Sequence, residues 1–110
     1  FLSHFGCYCL IGVSGPYNSN SMRAWIVYMP SKLYYPWHQH PAEELYFCLA
    51  GEATFKADGK DDIILCEGGV SEHNSNQRHA MQTDEKPVLA YVIWRNGFDV
   101  LPELTHDDAK

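Results

Sequence analysis

His38-Gln39-His40-Pro41-Ala42-Glu43-Glu44-Leu45-Tyr46-Phe47-Cys48-Leu49-Ala50-Gly51, residues 38–51, sets two histidines and a glutamate at the head of an apolar run. Imidazole and carboxylate are costly to bury unless they are paired or hold a metal. Side chains alternate along a strand, so His38 and His40 share one face. Glu44 and Tyr46 share a face of the next segment, after the short Pro41-Ala42-Glu43 connection. With both faces inward, three ligand-type groups converge beside a phenol.

The rest of the chain reads as β. Strand candidates are 5–12, 22–29, 33–40, 44–50, 53–57, 62–66, 79–83 and 88–95, rich in Val, Ile, Tyr, Phe and Trp. Turn signals separate them: Ser14-Gly15-Pro16, Pro30-Ser31, Pro41-Ala42, Ala50-Gly51, Asp58-Gly59, Gly68-Gly69 and Asn96-Gly97. Short strands at this spacing predict an antiparallel sandwich or small barrel. Helical periodicity is confined to a turn over 101–108, and a polar tail over 105–110 is expected to fray.

The chain has 110 residues, enough for a single domain over 1–110, and 45% of them are apolar, enough for a core. A net charge of −6 argues against nucleic acid, which needs clustered Lys and Arg, and suits a cationic ligand. No apolar run approaches the roughly 18 residues of a membrane span. Because the chain begins at Phe1, a truncated chain lacking an N-terminal segment is expected. The four cysteines, Cys7, Cys9, Cys48 and Cys66, form no C-x-x-C pair, so a zinc knuckle is not expected. Cys48 and Cys66 lie in apolar runs and read as buried hydrophobes, and this usage fits a cytoplasmic protein.

A second segment, EGGVSEHNSNQRHAMQT over 67–83, adds His73 and His79. His79 begins a strand that continues through Ala80 and Met81, which favours it as the further ligand, with His73 its rival. His4, His73 and His106 are otherwise expected at the surface. Three or four His and carboxylate ligands with open positions suit one divalent transition metal ion, zinc, iron, manganese or nickel. Glu43 and Asp61 alternate away from Glu44 and Asp62 and read as solvated.

The spacing His38, His40, Glu44, Gly51 resembles the first motif of the cupin family, H-x-H, three residues, Glu, six residues, Gly. Gly68 and His79 stand at the positions of its second motif, with Asn74 and Asn76 where Pro and Gly occur, and Asn tolerates turn conformations. The resemblance implies an all-β cupin, a double-stranded β-helix or jelly-roll barrel. The extension to Leu45-Tyr46, with Tyr34-Tyr35-Pro36 before it and His79-Ala80-Met81 after, looks like the cupin-type dimethylsulfoniopropionate (DMSP) lyases of the DddQ type. That similarity covers roughly 22–95.

This likeness implies β-elimination of DMSP to dimethyl sulfide and acrylate, with a metal on the substrate carboxylate and a tyrosine as base. Tyr46, on the face of Glu44, is the first candidate for that base and Tyr35 the second. Strict alternation sets Tyr35 out of phase with His38 unless Pro36 bulges the strand. The resemblance ranks His40, Glu44 and His79 as metal ligands above His38, which it also allows to line the substrate pocket. A sulfonium needs an aromatic surround; Trp25, Trp37, Tyr91 and Trp94 are available, with Tyr91 and Trp94 the substrate-binding candidates. Other cupin activities, isomerase or oxygenase, and a small-molecule-binding sensor share the same cage. Cupins often pair through sheet edges, which allows a homodimer.

Overall fold

The computed structural model describes residues 6–12, 15–97 and 103–104, the last pair by backbone alone. Alternating apolar and polar residues fold into nine strands among them: β1 (Gly6–Ile11), β2 (Met22–Met29), β3 (Tyr34–Gln39), β4 (Glu43–Ala57), β5 (Ile63–Cys66), β6 (Val70–His73), β7 (His79–Gln82), β8 (Val88–Arg95) and β9 (Glu103–Leu104). They run antiparallel in the order β1-β2-β8-β4-β7-β3-β9, with β5 and β6 also paired to β4. No helix of the described residues is long and apolar enough to cross a membrane.

β4 organises the fold. Its first half lies between β8 and β6, and its second half between β5 and β7, so one strand belongs to both halves of a curled sheet. The sequence predicts two strands here, 44–50 and 53–57, broken by a turn at Ala50-Gly51. The structure instead bends a single strand of 15 residues. Gly51 takes φ +80°, and a slip in register opposite β8 falls between Cys48 and Ala50. A Cβ at Gly51 would collide with the Pro87 carbonyl, so the bend needs glycine. The ladder resumes at once, as the Glu52 N–H donates to that same carbonyl at 3.2 Å.

The inward residues of β4 alternate as Glu44, Tyr46 and Cys48, then Ala53, Phe55 and Ala57, all buried. The last five of these residues except Ala57 join Val27, Met29, Leu65, Met81, Val88, Ala90 and Val92 in one core cluster. Each large apolar side chain so buried contributes about 1.5–3 kcal/mol. Cys48 behaves as expected, whereas Cys66 is exposed: it sits one residue past the inward Leu65 and so faces out.

β6 and β9 are the elements missing from the sequence reading. Val-Ser-Glu-His has little strand propensity of its own, and β6 exists because it pairs with β4 from Glu44 to Phe47. Glu103 and Leu104 pair with Gln39 and His38, which replaces the expected helical turn at those two positions. The remainder of 101–108, the tail 105–110, His4 and His106 lie outside the described residues.

Candidate metal centre

Five strands deliver one polar cluster into the apolar interior. β3 brings His38, with His40 just past its end; β4 brings Glu44 and Tyr46; β6, β7 and β8 bring His73, His79 and Trp94. His38, His40, Glu44, Tyr46, His73 and His79 are all at most 5% exposed. Oε1 of Glu44 is the hub. His79 Nε2 lies 3.0 Å from it, His73 Nδ1 3.1 Å and His40 Nε2 3.5 Å. The other carboxylate oxygen accepts the Trp94 indole N–H at 2.7 Å.

The backbone fixes the imidazoles. Nδ1 of His38 donates to the Pro36 carbonyl at 2.7 Å, Nδ1 of His40 to Ala42 at 2.9 Å and Nδ1 of His79 to Gln77 at 2.8 Å. A carbonyl only accepts, so each Nδ1 carries the hydrogen and each ring turns its Nε2 toward the site. The Asn76 N–H donates to the His40 carbonyl at 2.7 Å, tying the turn before β7 to the end of β3. Asn76 takes φ +56°, the left-handed turn conformation that a glycine usually fills.

The donor set fits a divalent cation. Nε2 of His40 and Nε2 of His79 are buried without a hydrogen-bond partner. A lone pair aimed at a carboxylate oxygen 3.0 Å away is repulsive unless a cation lies between them. Ligand atoms of His38, His40 and His79 lie within 4.8 Å of one another, as do those of Glu44, His73 and His79. Nitrogen and carboxylate ligands with backbone-anchored imidazoles are the pattern of a transition-metal site.

The local field is uneven. Burial opposes ionisation of Glu44, but the imidazoles around it, the His73 donor among them, outweigh it and hold the carboxyl well below its ordinary range. Burial, reinforced by the neighbouring His79 imidazole, pushes His38 down to about 4. Burial and then the Glu44 carboxylate push the Tyr46 phenol well above its ordinary value, and the same two causes lead in raising Tyr35 to about 12.

Tyr46 packs its ring against Phe55 and stands 5.7 Å, centroid to centroid, from His73. Tyr35 reaches the site through a bulge. β3 holds three steps from Tyr35 to His38 against two steps of β7 from Met81 to His79, so the Pro36 region restores the phase. The Tyr35 and His38 rings then stack with centroids 4.2 Å apart. Trp94 stacks on His40 at 4.3 Å and meets Trp25 edge-on at 5.0 Å. Tyr91 is not brought to the site: it alternates with the inward Ala90 and Val92 and stands on the other face of β8. Trp37 points away from His38 along β3, and its ring receives the Arg78 guanidinium at 5.1 Å.

His73 departs most from expectation. It is buried rather than superficial, because Glu72 and Val70 alternate outward and Ser71 and His73 inward. The signal was the inward period of β6 itself, too short and polar to stand out. A cavity of about 280 Å³, lined in part by Glu43, Glu44, Glu72, His73 and Arg95, opens where β4 begins and β6 and β8 end.

A curled antiparallel sheet carrying an inward His and Glu cluster defines a cupin, and a cupin-like protein from Thermotoga maritima shares the fold at TM-score 0.79 and 17% identity, over 96% of this chain and 79% of its own. The dimethylsulfoniopropionate lyase family model matches residues 1–90, and the chain belongs to that family. It is 47% identical over its whole length to dimethylsulfoniopropionate lyase DddQ of Ruegeria pomeroyi. The crystal structure of that enzyme superposes at TM-score 0.93, covering 100% of this chain and 56% of its own. One of the crystal structures of the DMSP lyases RdDddP and RnDddQII matches at TM-score 0.90 and 36% identity, over 96% of this chain and 55% of its own. The chain therefore spans about half the length of these lyase relatives, 55% in the case of the Ruegeria pomeroyi sequence.

Proposed function

We propose that this chain is a metal-dependent carbon–sulfur lyase that cleaves DMSP to dimethyl sulfide and acrylate in the cytoplasm. The observation that carries the metal is the pair of partnerless Nε2 atoms, on His40 and His79, converging on Glu44 Oε1. Membership of the lyase family and the likeness to DddQ support the substrate. His40, Glu44 and His79 hold the ion, with His38 at the edge of the set, able to ligate or to line the pocket.

A divalent ion there supplies Lewis acidity toward the substrate carboxylate and a positive charge that makes a neighbouring phenolate accessible. Tyr46, one alternation beyond Glu44 on the same face of β4, takes the proton from the carbon next to the carboxylate. The electron pair of that C–H bond becomes the carbon–carbon double bond of acrylate. The C–S bond breaks, and sulfur leaves with its pair as neutral dimethyl sulfide. A phenol held well above its ordinary pKa by burial and by Glu44 is inert alone, which is why its role is bound to the ion. Tyr35 and His38, stacked on each other, and Trp94, over His40, form the aromatic walls available to the sulfonium.

Incubation of the metal-loaded chain with DMSP, read by headspace dimethyl sulfide and by acrylate in solution, tests this reading. Equimolar gas and acrylate are expected. A folded, metal-bearing protein that releases neither would sink it.

A further inference from the structure

Glu44 has a direct neighbour on each side in the sheet, His73 across β6 and Trp94 across β8. Both donate to it: His73 Nδ1 at 3.1 Å to Oε1 and Trp94 Nε1 at 2.7 Å to Oε2. We infer that His73 is a positioning residue that orients the Glu44 carboxylate for the metal ion without itself binding the ion. The inference rests on the metal-centre reading above.

The two nitrogens of His73 are both engaged, and this separates it from the ligands. Nδ1 faces Glu44, and Nε2 lies 3.1 Å from the hydroxyl of the buried Ser71. A carboxylate only accepts, so Nδ1 carries the hydrogen, and Nε2 accepts from Ser71. Nothing is left over for an ion. His40 and His79, by contrast, each keep a buried Nε2 with no partner. The ladder fixes the arrangement, since Ser71 stands opposite Tyr46 just as His73 stands opposite Glu44. A carboxylate held on both oxygens cannot rotate, so Oε1 stays aimed at the two bare imidazole nitrogens. Groups that orient a ligand in this way strengthen metal binding without entering the coordination sphere.

Cobalt(II) titration of the full chain against a competing chelator, followed by its visible absorption, tests the assignment. The wild type is expected to bind one ion. Replacing the donor, His73→Leu, is expected to lower affinity roughly 10- to 100-fold while leaving the band positions and intensities of the bound ion unchanged. His73→Asn, whose amide can place an N–H near Nδ1, is expected to recover most of that affinity and guards against a variant that fails to fold. Ser71→Ala is expected to fall between the two. A changed cobalt spectrum in both His73 variants, like that of His79→Ala, would make His73 a ligand and overturn the proposal. Unchanged affinity in His73→Leu would overturn it too. Failure of the wild type to bind cobalt would be a different result, removing the metal reading and this role together.

Discussion

Oε1 of Glu44 and Nε2 of His79 face each other at 3.0 Å, and Nδ1 of the same imidazole has already given its hydrogen to the Gln77 carbonyl. With Nε2 unprotonated these are two acceptors facing each other in a dry interior, and a cation shared by both relieves the repulsion. The arrangement therefore stores a cost in the metal-free chain that an ion relieves. Adding zinc to chelator-treated protein at a hundredfold excess over Kd should stabilise it by about 2.7 kcal/mol. For a domain of this size that is a rise in Tm on the order of 10 °C. Differential scanning fluorimetry with and without chelator reads it, and an unchanged Tm would contradict a resident ion.

The base is the second claim open to test. Tyr46→Phe removes only a hydroxyl from a ring packed on Phe55, so fold and metal content should survive. Turnover of DMSP should fall at least about 100-fold, the lower range for a positioned proton acceptor. Tyr35→Phe should cost less. The reverse order, measured as initial rates of dimethyl sulfide release, would move the base to Tyr35 and its stack on His38.

The bend in β4 makes a stability prediction. Gly51 and Gly59 share φ +80°, but a Cβ at Gly59 meets nothing within 4 Å, while at Gly51 it meets the Pro87 backbone. Gly59→Ala should cost about 1 kcal/mol, the left-handed penalty alone. Gly51→Ala should cost at least about 3 kcal/mol, because strain and a backbone collision add. Urea unfolding separates the two, and equal costs would mean that the bend is not pinned by Pro87.

Acid should unfold the metal-free protein early. His38 sits at about 4 when folded against an ordinary 6.5, so the unfolded chain binds more protons between those values. Stability then falls as pH falls through that window, by up to about 3 kcal/mol from this group. Burial also lowers His73, which acts in the same direction. Glu44, held low, adds a further loss below its ordinary carboxyl range. Urea midpoints of chelated protein should therefore drop steadily from pH 7 to pH 4. A flat profile would mean that burial does not hold His38 and His73 low in the folded chain.

The alternation of His38 with His40 and of Glu44 with Tyr46 was legible in the sequence, because period two is a local property of a strand. The bulge that brings Tyr35 beside His38 was legible only as a consequence of Pro36, and its register against Met81 and His79 is a property of the sheet. Gly51 marked a change of direction correctly, but whether glycine ends a strand or bends it depends on what lies opposite, here Pro87. His73 and Trp94 could not be tied to Glu44 from sequence, since they lie 29 and 50 residues away and meet it only through cross-strand pairing. Tyr91 is out of step with Trp94 along β8 and stands on the other face of the strand, a phase that the apolar run 88–95 left open.

The most direct test of the metal centre is anomalous diffraction from crystals of the chain grown with zinc, recorded on both sides of the zinc edge. A single peak bonded to His40 Nε2, His79 Nε2 and a Glu44 oxygen, at about 2.0–2.2 Å from each, is the predicted result. No peak among these side chains, with Nε2 of His79 protonated and donating directly to Glu44, would contradict it.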